Sequence, residues 1–196
     1  IPNGDDLERF HPPQSREDTG TLRLLTVGRL SVTKRLPLLL EAVEVLRRQG
    51  RAVHLTVVGG GALEAELRRQ LAQRDGRDSI TLTGRCEADE MPDLYRRHDV
   101  FVSASMQEGM SNAMLEAMAS GLPIVTTRCE GVDELIGDNG IVVEDSQASA
   151  LAAAVGKLAD SRAARDAMAR AARKKAEQFG WDKVAEAYLQ LYARVK

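Results

Sequence analysis

Six short apolar runs recur along this chain, at 22–27, 53–58, 80–83, 100–104, 124–127 and 141–143. Most are rich in Val, Ile, Leu and Thr, and several lack the polar alternation of a half-solvated strand. Strands of that kind are buried on both faces, as in a parallel sheet. Between them lie segments with helical spacing. In 34–49, Leu36, Leu39, Leu40, Val43 and Leu46 fall on one stripe, and 62–73 carries Leu63, Leu67 and Leu71 at steps of four. Two more helical segments, 89–97 and 112–119, precede the fifth strand. Strand and helix alternating in this way imply right-handed crossovers, and hence an α/β fold with a doubly wound, six-stranded parallel sheet over about 21–145. After residue 145 the strands stop. Helical stretches at 147–159, 162–178 and 182–194 follow, separated by Asp160-Ser161 and Gly180.

Length and charge narrow the function classes. The 196 residues fit one large domain or two small ones. Lys and Arg number 27 against 29 Asp and Glu, which argues against a dedicated nucleic-acid binder. No apolar run approaches the roughly 18 residues of a membrane span. The stretch 162–196 holds nine Lys or Arg against four Asp or Glu, but they are scattered, so it reads as a solvated helix face rather than a membrane patch. Two cysteines, Cys86 and Cys129, cannot form a disulfide framework. They fit a reducing compartment, so the expected location is cytoplasmic, with peripheral membrane contact left open for a longer protein. His11, His54 and His98 match no metal-ligand spacing and read as structural.

The chain opens on Ile1-Pro2-Asn3-Gly4, and turn residues with mixed charges run to Gly20. Residues 1–20 are expected to be a linker from a missing upstream domain. The domain proper is expected over 21–180.

In an open parallel sheet, ligands sit beyond the carboxyl ends of the strands. The loop after the first strand offers Gly28, Arg29 and Lys34, a planar fork and a point charge suited to a diphosphate. After the second strand, Gly59, Gly60 and Gly61 allow a ligand close to the backbone. Glu64 stands where a dinucleotide fingerprint wants a small residue, which disfavours a nicotinamide cofactor, and no Walker spacing is present. After the fourth strand, Glu108, Gly109, Met110, Ser111, Asn112, Ala113 and Glu116 lead into a helix. Ser111 suits its N-cap, and the free N–H groups around Ser111, Asn112 and Ala113 suit an anion. A carboxylate near such a helix start is well partnered by vicinal hydroxyls. Met114 and Met118 read as core; Met106 and Met110 read as loop.

Taken together, Gly28-Arg29-Leu30 with Lys34, the triple glycine, Gly84-Arg85, and Glu108 and Glu116 in the frame E-G-M-S-N-A-M-L-E-A-M-A-S-G-L-P resemble the GT-B glycosyltransferases of family 4. The resemblance covers essentially the whole chain but only the C-terminal, donor-binding half of such an enzyme. One departure is Arg35, where many relatives carry Gly after the Lys. The resemblance implies a Rossmann-like domain and retaining transfer from a nucleoside diphosphate sugar, UDP- or GDP-linked, to an acceptor held by the missing N-terminal domain. It implies that Arg29 and Lys34 hold the diphosphate, that Glu108 contacts the donor sugar, and that Glu116 binds the ribose. The backbone at 109–113 would receive phosphate or sugar oxygens, and Gly84, Arg85 and Cys86 would border the base. It implies no bound metal, and the sequence contains no Asp-x-Asp. The helix within 181–196 would cross back to the upstream domain, and the fragment alone would transfer nothing.

Two other readings stand beside this one. Half of a GT-B sugar-nucleotide epimerase would need acids from both halves, and its motifs match less well. A non-catalytic nucleotide-binding or receiver-like module is the other. A receiver needs an acceptor Asp at a strand end, whereas these strands end at Gly28, Gly59, Gly84 and Ser105.

Overall fold

The six apolar runs become six parallel strands: β1 (Leu22–Val27), β2 (Val53–Val58), β3 (Ile80–Gly84), β4 (Val100–Ser103), β5 (Ile124–Thr127) and β6 (Gly140–Val143). This computed structural model describes residues 2–194. The strand order is β3-β2-β1-β4-β5-β6, all parallel. The chain winds outward from β1 to β3, then returns to place β4 against the other edge of β1. That reversal opens a crevice between the carboxyl ends of β1 and β4, the place where doubly wound sheets bind ligands.

Among the described residues eight α-helices connect and flank the strands: α1 (Leu36–Arg48), α2 (Glu64–Ala72), α3 (Met91–Arg96), α4 (Asn112–Ala119), α5 (Val132–Leu135), α6 (Ala148–Asp160), α7 (Arg162–Ala176) and α8 (Trp181–Arg194). Alternate strand residues point to opposite faces. Leu24, Val100 and Val102 join Leu39, Leu40, Val43 and Leu46 of α1 and Leu151 and Val155 of α6 on one face. Leu25 and Phe101 join Tyr95 of α3 and Met114, Leu115 and Met118 of α4 on the other. The strands read as continuously apolar because both faces are covered. Met114 and Met118 are buried, and Met106 is exposed, as their spacing suggested.

The 1–20 segment, read above as a linker, is laid against the domain over its described residues. Phe10 is buried edge-on to Tyr95, with ring centroids 5.7 Å apart. Asp5 bridges to Gly180: its N–H donates to Phe179 O at 2.8 Å, and its carbonyl accepts from the Trp181 N–H at 3.2 Å. Gly4 is required there, since a Cβ would stand 2.5 Å from the Trp181 indole. Arg16 donates to the carbonyls of Ser120 and Gly121 at 2.8 and 2.9 Å, and Arg173 donates to that of Ala119 at 2.9 Å. Two cations thus close the C-terminus of α4, which favours its dipole and leaves its other end facing the crevice.

Burial pushes the Asp5 carboxyl up to about 6, against a hydrogen bond from the Asp6 N–H that lowers it. A carboxyl raised on folding contributes stability that is complete below its unfolded value, near 4, and is lost as pH rises through about 6. Wild-type stability is therefore expected to lose roughly 2–3 kcal/mol across that window relative to Asp5→Asn. Denaturant titrations of both proteins at pH 4, 5, 6 and 7 check this. Parallel curves for the two proteins would remove Asp5 from the role.

At the other end, α8 buries Val184 but leaves Trp181, Tyr188, Leu189, Leu191 and Tyr192 exposed. The final two residues of the 181–196 stretch, like Ile1, lie outside the described residues.

Candidate functional site

The crevice between β1 and β4 collects residues from two loops. Gly28, Arg29 and Lys34 line it from the β1 side, and Ser105, Glu108 and Ser111 from the β4 side. Gly28 has φ +154°, and a Cβ on it would stand 3.2 Å from Lys34 Cε, so the glycine lets the lysine lie across the strand end. The Lys34 ammonium is ion-paired with Glu108. The Ser105 hydroxyl, fully buried, donates to the same Glu108 oxygen at 2.7 Å. Arg29 is exposed and makes no ion pair among the described residues. One cation of the pair is thus already engaged by a carboxylate and the other is free for a ligand.

Ser111 occupies the N-cap position of α4 with extended backbone, but its side chain makes no capping bond. Its carbonyl accepts from the N–H groups of Met114 and Leu115, both at 3.1 Å. The N–H groups of Asn112 and Ala113 have no acceptor among the described residues. Both point out of the first turn, where the helix dipole favours an anion.

Glu116 lies one turn further along α4, on the face that carries Asn112 and Ala113. Burial raises its carboxyl above the ordinary range, while a hydrogen bond from the Tyr95 hydroxyl pulls the other way. That hydroxyl donates to Glu116 Oε2 at 2.7 Å. The second carboxylate oxygen has no partner among the described residues and can accept from a ligand hydroxyl. Glu116 is therefore a held, half-buried group and not a free surface glutamate.

The glycine loop packs behind the crevice. A Cβ on Gly61 would lie 2.5 Å from Leu30 O, and one on Gly60 would lie 3.0 Å from Arg85 Nε. Gly60 and Arg85 thus face each other across a narrow gap at the ends of β2 and β3. Cys86, Met110 and Ala113 are each partly buried against the core cluster that includes α4. Gly109 is exposed between the two groups. His98 is buried, with Nε2 2.9 Å from the Thr56 hydroxyl and Nδ1 2.7 Å from Leu94 O.

Four further residues shape the site without having been singled out as site residues from the sequence. Tyr95 and Ser105 orient the two glutamates. Asn3 donates from Nδ2 to Met110 O at 3.2 Å and to Asn112 Oδ1 at 2.9 Å, so the N-terminal segment borders the start of α4. Arg35 ties the β1 loop to β4 and β5.

Comparison with known proteins gives the geometry its context. A sequence profile described as "Glycosyl transferases group 1" matches residues 21–161. The chain is similar to the amylovoran biosynthesis glycosyltransferase AmsK of Erwinia amylovora, 35% identical over 80% of this chain and 40% of that protein. It spans about half or less of the length of the curated relatives it matches. Among solved structures it is similar to the C-terminal domain of the group 1 glycosyl transferase family protein LpcC from Francisella tularensis. There the TM-score is 0.77 at 25% identity, covering 89% of this chain and 97% of the other. It shares its fold with Anabaena HepE in complex with UDP, with a TM-score of 0.86 at 21% identity over 98% of this chain and 56% of that one.

Proposed function

Since the chain belongs to the group 1 glycosyl transferases, we propose that it is the donor-binding half of a retaining enzyme, holding a nucleoside diphosphate sugar for transfer to an acceptor bound by an N-terminal domain. The observation that supports this reading is the crevice between β1 and β4, lined by Arg29, Lys34, Glu108 and the Ser111 that starts α4, with Glu116 further along that helix. Two cations and a helix start stabilise the negative charge that develops on a departing diphosphate. These groups do so without a divalent metal in this reading. Glu116, held by Tyr95, accepts from the ribose hydroxyls. Glu108 faces the donor sugar. Gly84, Arg85 and Cys86 border the base, and Gly59 and Gly60 let the ligand approach the backbone.

The missing acceptor half is supported by two features. The fold coincides with nearly all of a domain described as C-terminal. The uncovered apolar face of α8 suits contact with a further domain. An acceptor site needs the second wall of the cleft, which also excludes water. The chain alone is expected to bind donor and transfer nothing. A cytoplasmic location belongs to the same reading, with Cys86 and Cys129 as free thiols.

Calorimetry tests the reading. Nucleosides, nucleoside diphosphates and sugar nucleotides of uridine, guanosine and adenosine are titrated in the presence of a chelator. Arg29→Ala is expected to weaken diphosphate binding by about 1–3 kcal/mol and leave the nucleoside unaffected. Glu116→Ala is expected to weaken nucleoside and diphosphate alike. Failure of every diphosphate to bind would overturn the donor reading, and sugar transfer by these 196 residues alone would overturn the two-domain part.

A further inference from the structure

Arg35 is the one non-glycine among the described residues with a positive φ, at φ 45° and ψ 42°. A residue with a Cβ disfavours this left-handed conformation, whereas glycine adopts it freely. The position joins the short 3-10 turn Val32–Lys34 to α1, so the chain must bend there. An arginine at a place suited to glycine calls for a reason, and its side chain supplies one. Arg35 Nε donates to Ala104 O at 2.6 Å, and Nη2 donates to the Thr127 hydroxyl at 2.9 Å. The Thr127 hydroxyl in turn donates to Ser105 O at 3.3 Å. One guanidinium therefore ties the loop after β1 to the ends of β4 and β5.

The tie lies directly behind the two groups that hold Glu108. Lys34 precedes Arg35 in the chain and is ion-paired with Glu108. Ser105, whose carbonyl is at the far end of the tie, donates its hydroxyl to Glu108. A second clamp is weaker, a single bond from the Met106 N–H to Thr33 O at 2.8 Å. Arg35 is not among the residues lining the crevice. We infer that Arg35 is a positioning residue: its forked tie fixes the spacing between Lys34 and Glu108 across the topological switch point, and so sets how the site receives a diphosphate. This rests on the donor-binding reading above. The planar fork matters because a carbonyl and a hydroxyl on two different strands must be met at once, which a lysine's point charge does not do.

The test uses the chain with UDP, GDP and ADP, their nucleosides, and the variants Arg35→Gly, Arg35→Lys, Thr127→Val and Arg35→Gly/Thr127→Val, with Lys34→Ala as reference. Arg35→Gly keeps the left-handed backbone and removes the tie. It is expected to weaken binding of the diphosphate that wild type prefers by roughly 3–30-fold and to change nucleoside binding less than about twofold. Thr127→Val removes one arm of the fork and leaves the bond from Nε to Ala104 O, with charge unaltered, and is expected to show a selective loss of the same kind and no larger size. The double variant is expected to be little worse than Arg35→Gly alone, since Thr127 acts through Arg35. Arg35→Lys is expected to resemble Arg35→Gly. If Arg35→Gly does not fold, Thr127→Val carries the test. Wild-type affinity for diphosphate in Thr127→Val and Arg35→Gly, with loss in Lys34→Ala, would overturn this inference alone. Wild-type affinity in Arg35→Lys would assign the effect to charge and overturn it too. No diphosphate binding by the wild type would overturn both this inference and the donor reading.

Discussion

Gly59→Ala is expected to destabilise the fold by more than about 3 kcal/mol, because a methyl group there would collide with the backbone of Gly28. Gly59 has φ +133°, outside the range a side chain readily adopts, and an added Cβ would stand 1.9 Å from Gly28 O and 2.9 Å from Gly28 C. Neither strand end can yield. The Gly28 N–H donates to Val58 O at 3.0 Å, and the Gly59 N–H donates to Gly84 O at 2.8 Å, so β1, β2 and β3 are fixed to one another at this level. For a domain of this size the loss corresponds to a Tm drop of roughly 6–12 °C. Gly60→Ala provides the contrast. Its Cβ would meet the Arg85 side chain at 3.0 Å, which can swing away, and the expected cost is below about 1 kcal/mol. A thermal melt of Gly59→Ala within 2 °C of wild type, taken as ~0.5 kcal/mol, would show that the strand ends separate more easily than their ladder implies.

The same close approach gives the glycine loop a packing role beside the one its sequence suggests. Three adjacent glycines suggest ligand approach. Here Gly59 and Gly61 are needed first for contact with the β1 loop, at Gly28 and Leu30. Gly60 instead faces the Arg85 side chain. A glycine run is visible in sequence, while the partner of each glycine depends on β1 and β2 being neighbours.

The strands were legible because parallel strands covered on both faces leave an apolar run with little alternation. Helix α4 was legible because Met114, Leu115 and Met118 share a face and Ser111 precedes them. Helix α5 was not anticipated, since four residues carry no measurable period. The 1–20 segment reads as linker because its Pro, Asn, Gly and charges are turn chemistry. What holds it to the domain is tertiary: Phe10 on Tyr95, Asp5 on Gly180, Arg16 at the end of α4. The candidate site followed the same division. Arg29, Lys34, Glu108 and Glu116 stand in a recognisable frame. Tyr95 reaches Glu116 from 21 positions away, and Arg35 reaches Thr127 from 92, across contacts that exist only once the strand order is fixed.

Lys34→Ala and Glu108→Ala are expected to act in opposite directions on diphosphate binding, although the two residues form one ion pair. Their side chains are 23% and 15% exposed, so the pair is partly withdrawn from solvent screening. Removing Lys34 leaves the Glu108 carboxylate unpaired at the mouth of the crevice, held in place by Ser105. A diphosphate entering there loses one cation and meets a like charge. Leaving one partner of such a pair without its counterion costs about 2–5 kcal/mol at a binding interface, and the discounted figure for this partly exposed pair is about 2–3 kcal/mol, or roughly 30–150-fold in Kd. Removing Glu108 instead frees the ammonium that it occupies. Diphosphate affinity is then expected to stay level or rise by up to about tenfold, while affinity for the intact sugar nucleotide falls, because the sugar loses its proposed acceptor. The difference between the two ligands carries the claim. Equal losses of diphosphate affinity in both variants would mean that the pair acts as a single structural unit and that Glu108 does not compete with the ligand for Lys34. A rise in salt from 50 to 300 mM should also shrink the gap between the variants, since the repulsion exerted by an unpaired Glu108 is screened by mobile ions.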